Sequence, residues 1–113
     1  MELSADPACL CARDVNGRLR QIADLDRVIH EPARLMIAAM LYLVDEADFL
    51  YLQAQTTLTK GNLSSHLAKL EEVGYVEIEK TYRGKIPMTV CRLTKKGRAS
   101  FRAYGAALRT ALF

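Results

Sequence analysis

The side chains with the most chemistry to offer are gathered in one segment, Thr56–Val73. Thr59 can cap a helix, and Leu63, Leu67, Leu70 and Val73 recur at the i, i+4, i+7, i+10 spacing of one buried stripe. At about 100° per residue, the opposite face falls on Gly61, Asn62, Ser65, Ala68, Lys69 and Glu72. The N-terminal half of that face is small and hydrogen-bonding, with no bulky apolar residue. Small residues let a helix axis approach base edges in a groove, Asn and Ser donate or accept there, and a Lys reaches a base or a phosphate. The competing reading is an ordinary solvated face, which is more often crowded with long Glu and Lys side chains.

A second group follows directly. Gly74 suits the C-terminal cap of that helix, and YVEIEK switches to period two, with Val76 and Ile78 on one side and Tyr75, Glu77 and Glu79 on the other. TYRGKIP cannot continue the strand because Gly84 and Pro87 interrupt it, and MTVCRL reads as the returning strand. The tip of this hairpin carries Lys80, Arg83 and Lys85 beside Tyr82. A basic tip containing glycine contacts a phosphate backbone or a minor groove, or it is a charged loop that stays in water.

Catalytic chemistry finds no such grouping. The chain has no Gly-rich phosphate loop, no HExxH and no Ser/His/Asp set, and its two imidazoles, His30 and His66, carry no sign of activation. The reading is a non-enzyme with no cofactor. Three cysteines are a poor disulfide framework, so reduced thiols are expected. Cys9 and Cys11 form a CxC pair, but a structural zinc site needs about four ligands and no second CxxC or HxxxH accompanies it; a metal or thiol switch stays open on that pair alone. Cys91 sits in an apolar run as a small core residue.

Charge separates the chain into halves. Residues 1–55 carry five Arg against nine acidic residues, whereas residues 56–102 carry ten Lys or Arg against four Glu, within a net charge of +3. A basic second half points to a polyanionic partner, nucleic acid first, although Lys and Arg also simply solvate surfaces. At 113 residues, half of them apolar, the chain reads as one domain with one core. Its most apolar stretch, Leu35–Val44, is about half the ~20 residues that cross a bilayer. The N-terminus also lacks the basic start of a signal peptide. The expected localisation is cytoplasmic, with no membrane partner.

These groups need helices to position them. A first helix is expected over Asn16–Ile29, with Asp14 as cap and Leu19, Ile22, Leu25, Val28 and Ile29 on one stripe. Pro32 suits the first turn of a second, central helix that runs through Leu43, with apolar residues around too wide a surface for a one-sided amphipath. A short third helix is expected over Glu46–Gln55, with Asp45 as its cap and Phe49, Leu50 and Leu52 inside. Thr94 caps the last helix, whose stripe is Phe101, Tyr104, Leu108 and Leu112. The two end helices carry more apolar surface than so small a core buries, so pairing between two subunits is expected, through Leu19, Ile22, Leu25, Phe101, Tyr104, Leu108 and Leu112. A monomer with both helices folded back on the core is the alternative.

Three helices, then a helix with a polar face, then a hairpin is the order of a winged helix-turn-helix. The run LTKGNLSSHLAKLEEVGYVEIEKTYRGKIPMTVCRLTKKGRASF resembles the DNA-binding region of MarR/ArsR-like winged-helix transcriptional regulators. It is most similar to the small branch that is little more than the winged helix with flanking dimerisation helices. NLSSHLAKLEEVGYV carries the match as recognition helix and first wing strand, TYRGKIPMT as wing and LTKKGR as the start of the last helix. The resemblance covers about residues 30–105. It implies a mainly α fold with a β-hairpin wing (α+β), with N- and C-terminal dimerisation helices. Residues 1–15 read as a poorly ordered segment and 16–113 as one domain, with the recognition helix at about 59–73, the wing at 75–93 and the C-terminal helix at 95–112.

The resemblance also implies a homodimer on a pseudo-palindromic double-stranded DNA operator, acting as a repressor by occupancy. Recognition roles fall on Lys60, Asn62, Ser64, Ser65, His66 and Lys69, and wing roles on Lys80, Arg83 and Lys85. The helical wheel agrees on Asn62, Ser65 and Lys69. It puts Ser64 to the side, where a phosphate contact suits it, and leaves His66 between a base contact and an edge of the core. The metal-sensing branch carries a cysteine-containing motif on or near its recognition unit, and none stands here. A winged-helix interaction module without DNA binding is the other functional reading.

Overall fold

Pro32 sits at the start of the central helix, where its fixed φ is already helical and its missing N–H is not needed. Glu31 caps the same turn by accepting from the Arg34 N–H at 2.8 Å. The computed structural model describes residues 15–113, and within them the order is α1 (15–23), α2 (Pro32–Val44), β1 (Glu46–Asp48), α3 (Phe49–Thr56), α4 (Lys60–Glu72), β2 (Val76–Arg83), β3 (Ile86–Leu93) and α5 (Lys95–Leu112). The three strands form one antiparallel sheet in the order β1-β3-β2. This is a winged helix-turn-helix, helices with a β-hairpin wing.

Two elements differ from the sequence expectation. The first helix does not reach Ile29. It ends at residue 23, and Asp26 accepts from the Val28 and Ile29 N–H groups through Oδ1, at 2.9 and 3.4 Å, a local side-chain bond that competes with helix continuation. The apolar stripe survives the change because Leu25 and Ile29 are buried from within the turn. The third helix likewise does not begin at Glu46. Asp45 ends α2 with φ 71° and redirects the chain, and Glu46–Asp48 pairs with β3 in the register Glu46↔Arg92, Ala47↔Cys91, Asp48↔Val90. The cap of α3 is therefore Asp48, whose Oδ1 accepts from the Tyr51 N–H at 2.7 Å.

The main core lies between α2, α3, α4 and the sheet. Ile37, Leu41, Leu52, Leu63, Leu70 and Cys91 are fully buried there, each aliphatic side chain contributing roughly 2 kcal/mol of transfer free energy. A second cluster of Leu25, Ile29 and Tyr104, with Ile22, Leu35, Phe101 and Leu108 against it, joins the α1–α2 turn to α5. Tyr75, at the end of the recognition unit, packs against both clusters.

Candidate nucleic-acid interface

Helix α4 presents its polar face because its apolar face is spent on the core. Thr59 Oγ1 accepts from the Asn62 N–H at 3.1 Å, which fixes the start of the helix. Leu63, Leu67 and Leu70 then point inward, while Lys60, Asn62, Ser64, Ser65 and Lys69 are exposed. Gly61 lies on the same outward face, and a Cβ there would meet nothing within 4 Å, so the chain's own packing does not demand its small size.

His66 is the exception. It is half-buried, its side chain 23% exposed, and turned toward the start of α2: Nδ1 lies 3.3 Å from Arg34 Nη1 and 3.9 Å from Glu31 Oε1. Between the two positions the wheel left open, the structure puts it at the edge of the core. The Glu31 carboxyl is held below its ordinary range, first by the Arg34 backbone N–H and then by the nearby His66 and Arg34 charges.

The hairpin stands beside α4. Gly84, with φ 67°, makes its turn, and Lys80, Arg83 and Lys85 are exposed around it together with the rings and alkyl groups of Tyr82 and Ile86. Between α4 and the hairpin runs a cleft of about 950 Å³, with Lys60, Ser64, Lys80 and Arg83 along it and Ile78 and Met88 in its floor. The base of the hairpin has the opposite character. There Arg92 is surrounded by three carboxylates, Glu79 at 3.0 Å, Glu46 at 3.3 Å and Glu77 at 3.4 Å. Its guanidinium is held in the charged form most strongly by the hydrogen bond to Glu79. Within the hairpin, the cations outside that carboxylate cluster, Lys80, Arg83 and Lys85, thus stand along the cleft and at the tip.

The wing and α4 are tied to α5 by a dense junction. Thr94 donates from Oγ1 to the Gly74 carbonyl at 2.6 Å and from its N–H to the Tyr75 carbonyl at 3.0 Å, and accepts from the Gly97 N–H at 3.0 Å. Lys96 Nζ donates to the Val73 carbonyl at 2.9 Å. A Cβ at Gly97 would overlap the Tyr75 carbonyl, so only glycine lets α5 approach this closely.

The end-helix residues divide into two sets. Leu25 and Tyr104 are buried within the chain, with Tyr104 Oη and His30 Nδ1 sharing a hydrogen bond of 2.8 Å. Ile22, Phe101 and Leu108 are half-buried, whereas Leu19 and Leu112 stay 58% and 48% exposed, next to a fully open Phe113. Cys91 is buried, which pushes its thiol up to about 11. Cys9 and Cys11, like the expected Asp14 cap, lie outside the described residues. Among the described residues no group of three or more His, Cys, Asp or Glu could hold a metal, and no helix is long and apolar enough to cross a membrane.

Sequence reasoning overlooked the residues that orient α4. Arg34 donates from Nε to the Val28 carbonyl at 2.5 Å while its other end meets His66, and Tyr75 donates from its hydroxyl to Asp26 Oδ2. Tyr75 was legible only as an outward-facing strand residue, and nothing local marks Asp26 as its partner.

Comparison with known proteins agrees with this geometry. A family model described as a winged helix DNA-binding domain matches residues 33–112. An uncharacterized protein of Methanocaldococcus jannaschii is 39% identical over 79 residues, which cover 69% of this chain and 85% of that one. Among solved structures, a transcriptional regulator homologue from Pyrococcus horikoshii superposes with a TM-score of 0.78 at 29% identity, covering 85% of this chain and 94% of that chain. A MarR-family transcriptional regulator from Silicibacter pomeroyi shares the fold at a TM-score of 0.61 and 20% identity, over 89% of this chain and 65% of that one. With α4, the hairpin and the flanking helices all in place, the chain belongs to the winged helix DNA-binding domain family.

Proposed function

We propose that this protein is a MarR-like transcriptional regulator, a homodimeric repressor that places one α4 from each subunit in successive major grooves of a pseudo-palindromic double-stranded operator, with each wing on the adjoining backbone or minor groove. The observation that carries the reading is the outward face of α4. It is exposed, small and hydrogen-bonding, it has open space over Gly61, and it borders the cleft that holds Lys60, Lys80 and Arg83.

In this reading Asn62 and Ser65 meet base edges, while Lys60, Ser64 and Lys69 meet phosphates or the outer base edges. Lys80, Arg83 and Lys85 supply the sequence-independent attraction. His66 holds α4 to α2 and takes no base. Pairing of two subunits is supported by the exposed Leu19, Leu112 and Phe113, large apolar side chains that the end helices leave open to water. Repression follows from occupancy of a promoter.

The test is fluorescence anisotropy with a duplex from the intergenic region upstream of the protein's own coding sequence, against a scrambled duplex, at two salt concentrations. Nanomolar, salt-sensitive binding that prefers the upstream duplex is expected. No binding to either duplex at low salt overturns the reading.

A further inference from the structure

One carboxylate in the α1–α2 turn does two jobs. Asp26 Oδ1 accepts from the Val28 and Ile29 N–H groups and so shapes the turn, while Oδ2 accepts from the Tyr75 hydroxyl across 49 positions of sequence. Tyr75 in turn stands where three elements meet. Its N–H donates to the Leu70 carbonyl at 2.9 Å, closing the end of α4, and its carbonyl accepts from Thr94 at the start of α5. Lys96 Nζ lies 5.7 Å from the centre of its ring, and the ring packs against both core clusters.

The same turn holds α4 at a second point. Arg34 binds the Val28 carbonyl and, at 3.5 Å, the Arg27 carbonyl, and its other end meets His66. His66 and Glu72, the last residue of α4 before the turn that Tyr75 closes, are six positions apart, about 9 Å at 1.5 Å per residue. Two attachments that far apart define a direction, where one would leave a pivot. A tilt of about 5° over a helix some 20 Å long moves its far end by nearly 2 Å, several times the distance tolerance of a hydrogen bond to a base edge.

We propose that the Tyr75–Asp26 hydrogen bond is a positioning contact that sets the angle of α4 against the end-helix layer, so that sequence discrimination depends on it and charge-driven binding to DNA does not. The proposal rests on the reading of α4 as the DNA-reading helix. Discrimination needs every base contact in register, in both half-sites at once, whereas attraction to phosphates tolerates a helix that is displaced by an ångström or two. Removing the hydroxyl loosens the end of α4 from the α1–α2 turn while its ties to α5 remain, and leaves Lys60, Lys69, Lys80, Arg83 and Lys85 untouched.

The experiment begins by enriching a preferred duplex from a random library with the wild-type protein. Anisotropy on that duplex and on its shuffled counterpart is then measured for wild type, Tyr75→Phe and Asp26→Asn at two salt concentrations, at a temperature where melting curves show each variant folded. Tyr75→Phe is expected to lose about tenfold on the enriched duplex, the loss of one well-formed hydrogen bond, while its affinity for the shuffled duplex and its salt slope stay within twofold. Asp26→Asn keeps one oxygen for the Val28 and Ile29 N–H groups and offers the Tyr75 hydroxyl an amide N–H, from which it can accept, and is expected to retain most of the discrimination. A Tyr75→Phe variant with the wild-type ratio of enriched to shuffled affinity overturns the inference and leaves the DNA reading standing, as does one that loses both affinities equally. A wild-type protein that enriches no sequence and shows no salt-dependent binding overturns the DNA reading and this inference with it.

Discussion

Helix α4 and the pair α1 and α5 solve the amphipathic problem differently. In α4 the apolar stripe of Leu63, Leu67 and Leu70 is wholly absorbed by the core of its own chain, and what remains outside is polar and small, with Lys60 and Lys69 exposed along it and Glu71 and Glu72 at its end. In the end-helix layer the stripe is only partly absorbed: Leu25 and Tyr104 are buried, while Leu19, Leu112 and Phe113 remain open to water. A helix with its apolar face completed at home is free to meet a polar, charged surface. One with apolar residues left over is suited to an apolar partner, and a second copy of the same layer supplies one. The sheet repeats the contrast on a smaller scale, with cations along the cleft toward the tip and Arg92 enclosed by carboxylates at the base.

The largest effect should come from removing the completed face. Leu63→Ala leaves a cavity under α4 where no side-chain surface is exposed, and is expected to destabilise the fold by about 3 kcal/mol, read from urea denaturation, with DNA binding falling in step with the folded fraction. Next comes the unfinished face. Leu19→Glu combined with Leu112→Glu places charges where an apolar partner is proposed, and is expected to leave the subunit folded, by circular dichroism, while shifting the dimer–monomer equilibrium by tenfold or more, on the order of 1.4 kcal/mol, in analytical ultracentrifugation. An unaltered dimer would move the interface elsewhere.

Smaller and more selective effects separate base contacts from phosphate contacts. Asn62→Ala should cost about 1–3 kcal/mol of discrimination at one base position, seen as a relaxed preference in binding to single-substitution duplexes. Lys85→Ala should instead weaken binding to all sequences alike and reduce the salt slope by about one. If the two variants behave identically, α4 and the wing do not divide the work. The smallest change is expected at Glu79→Gln toward the base of the wing: an exposed ion pair within a set of three carboxylates contributes within about 0.5 kcal/mol, so both stability and DNA affinity should hold.

Much of the winged helix was legible because its signals are local. Thr59 and Thr94 bond to N–H groups three residues on, and Gly74 ends α4 with a positive φ of 84° that other residues rarely adopt. The leucine spacing of α4 and the alternation of the wing strands are read within a dozen residues. The outward positions of Asn62, Ser65 and Lys69 follow from the same periodicity.

The remainder turned on partners distant in sequence. Glu46–Asp48 carries no strand signal of its own and became a strand because the edge of β3 offered unpaired backbone groups some 46 positions later. Asp26 broke the first helix with a bond that sequence reading weighs poorly against a continuing apolar stripe, and its second oxygen found Tyr75 only after the chain had folded back. His66 lay at an angle on the wheel where either side was open, and Glu31 and Arg34, brought in by α2, took it inward. The sequence by itself therefore determined most of the elements, the Thr59 and Thr94 caps and the polar and apolar faces of α4, since these depend on backbone geometry and solvent over a few residues. Only the tertiary structure decided which face of which helix was completed, which part of the wing stayed basic and how α4 is aimed, because those depend on contacts between segments that no local periodicity relates.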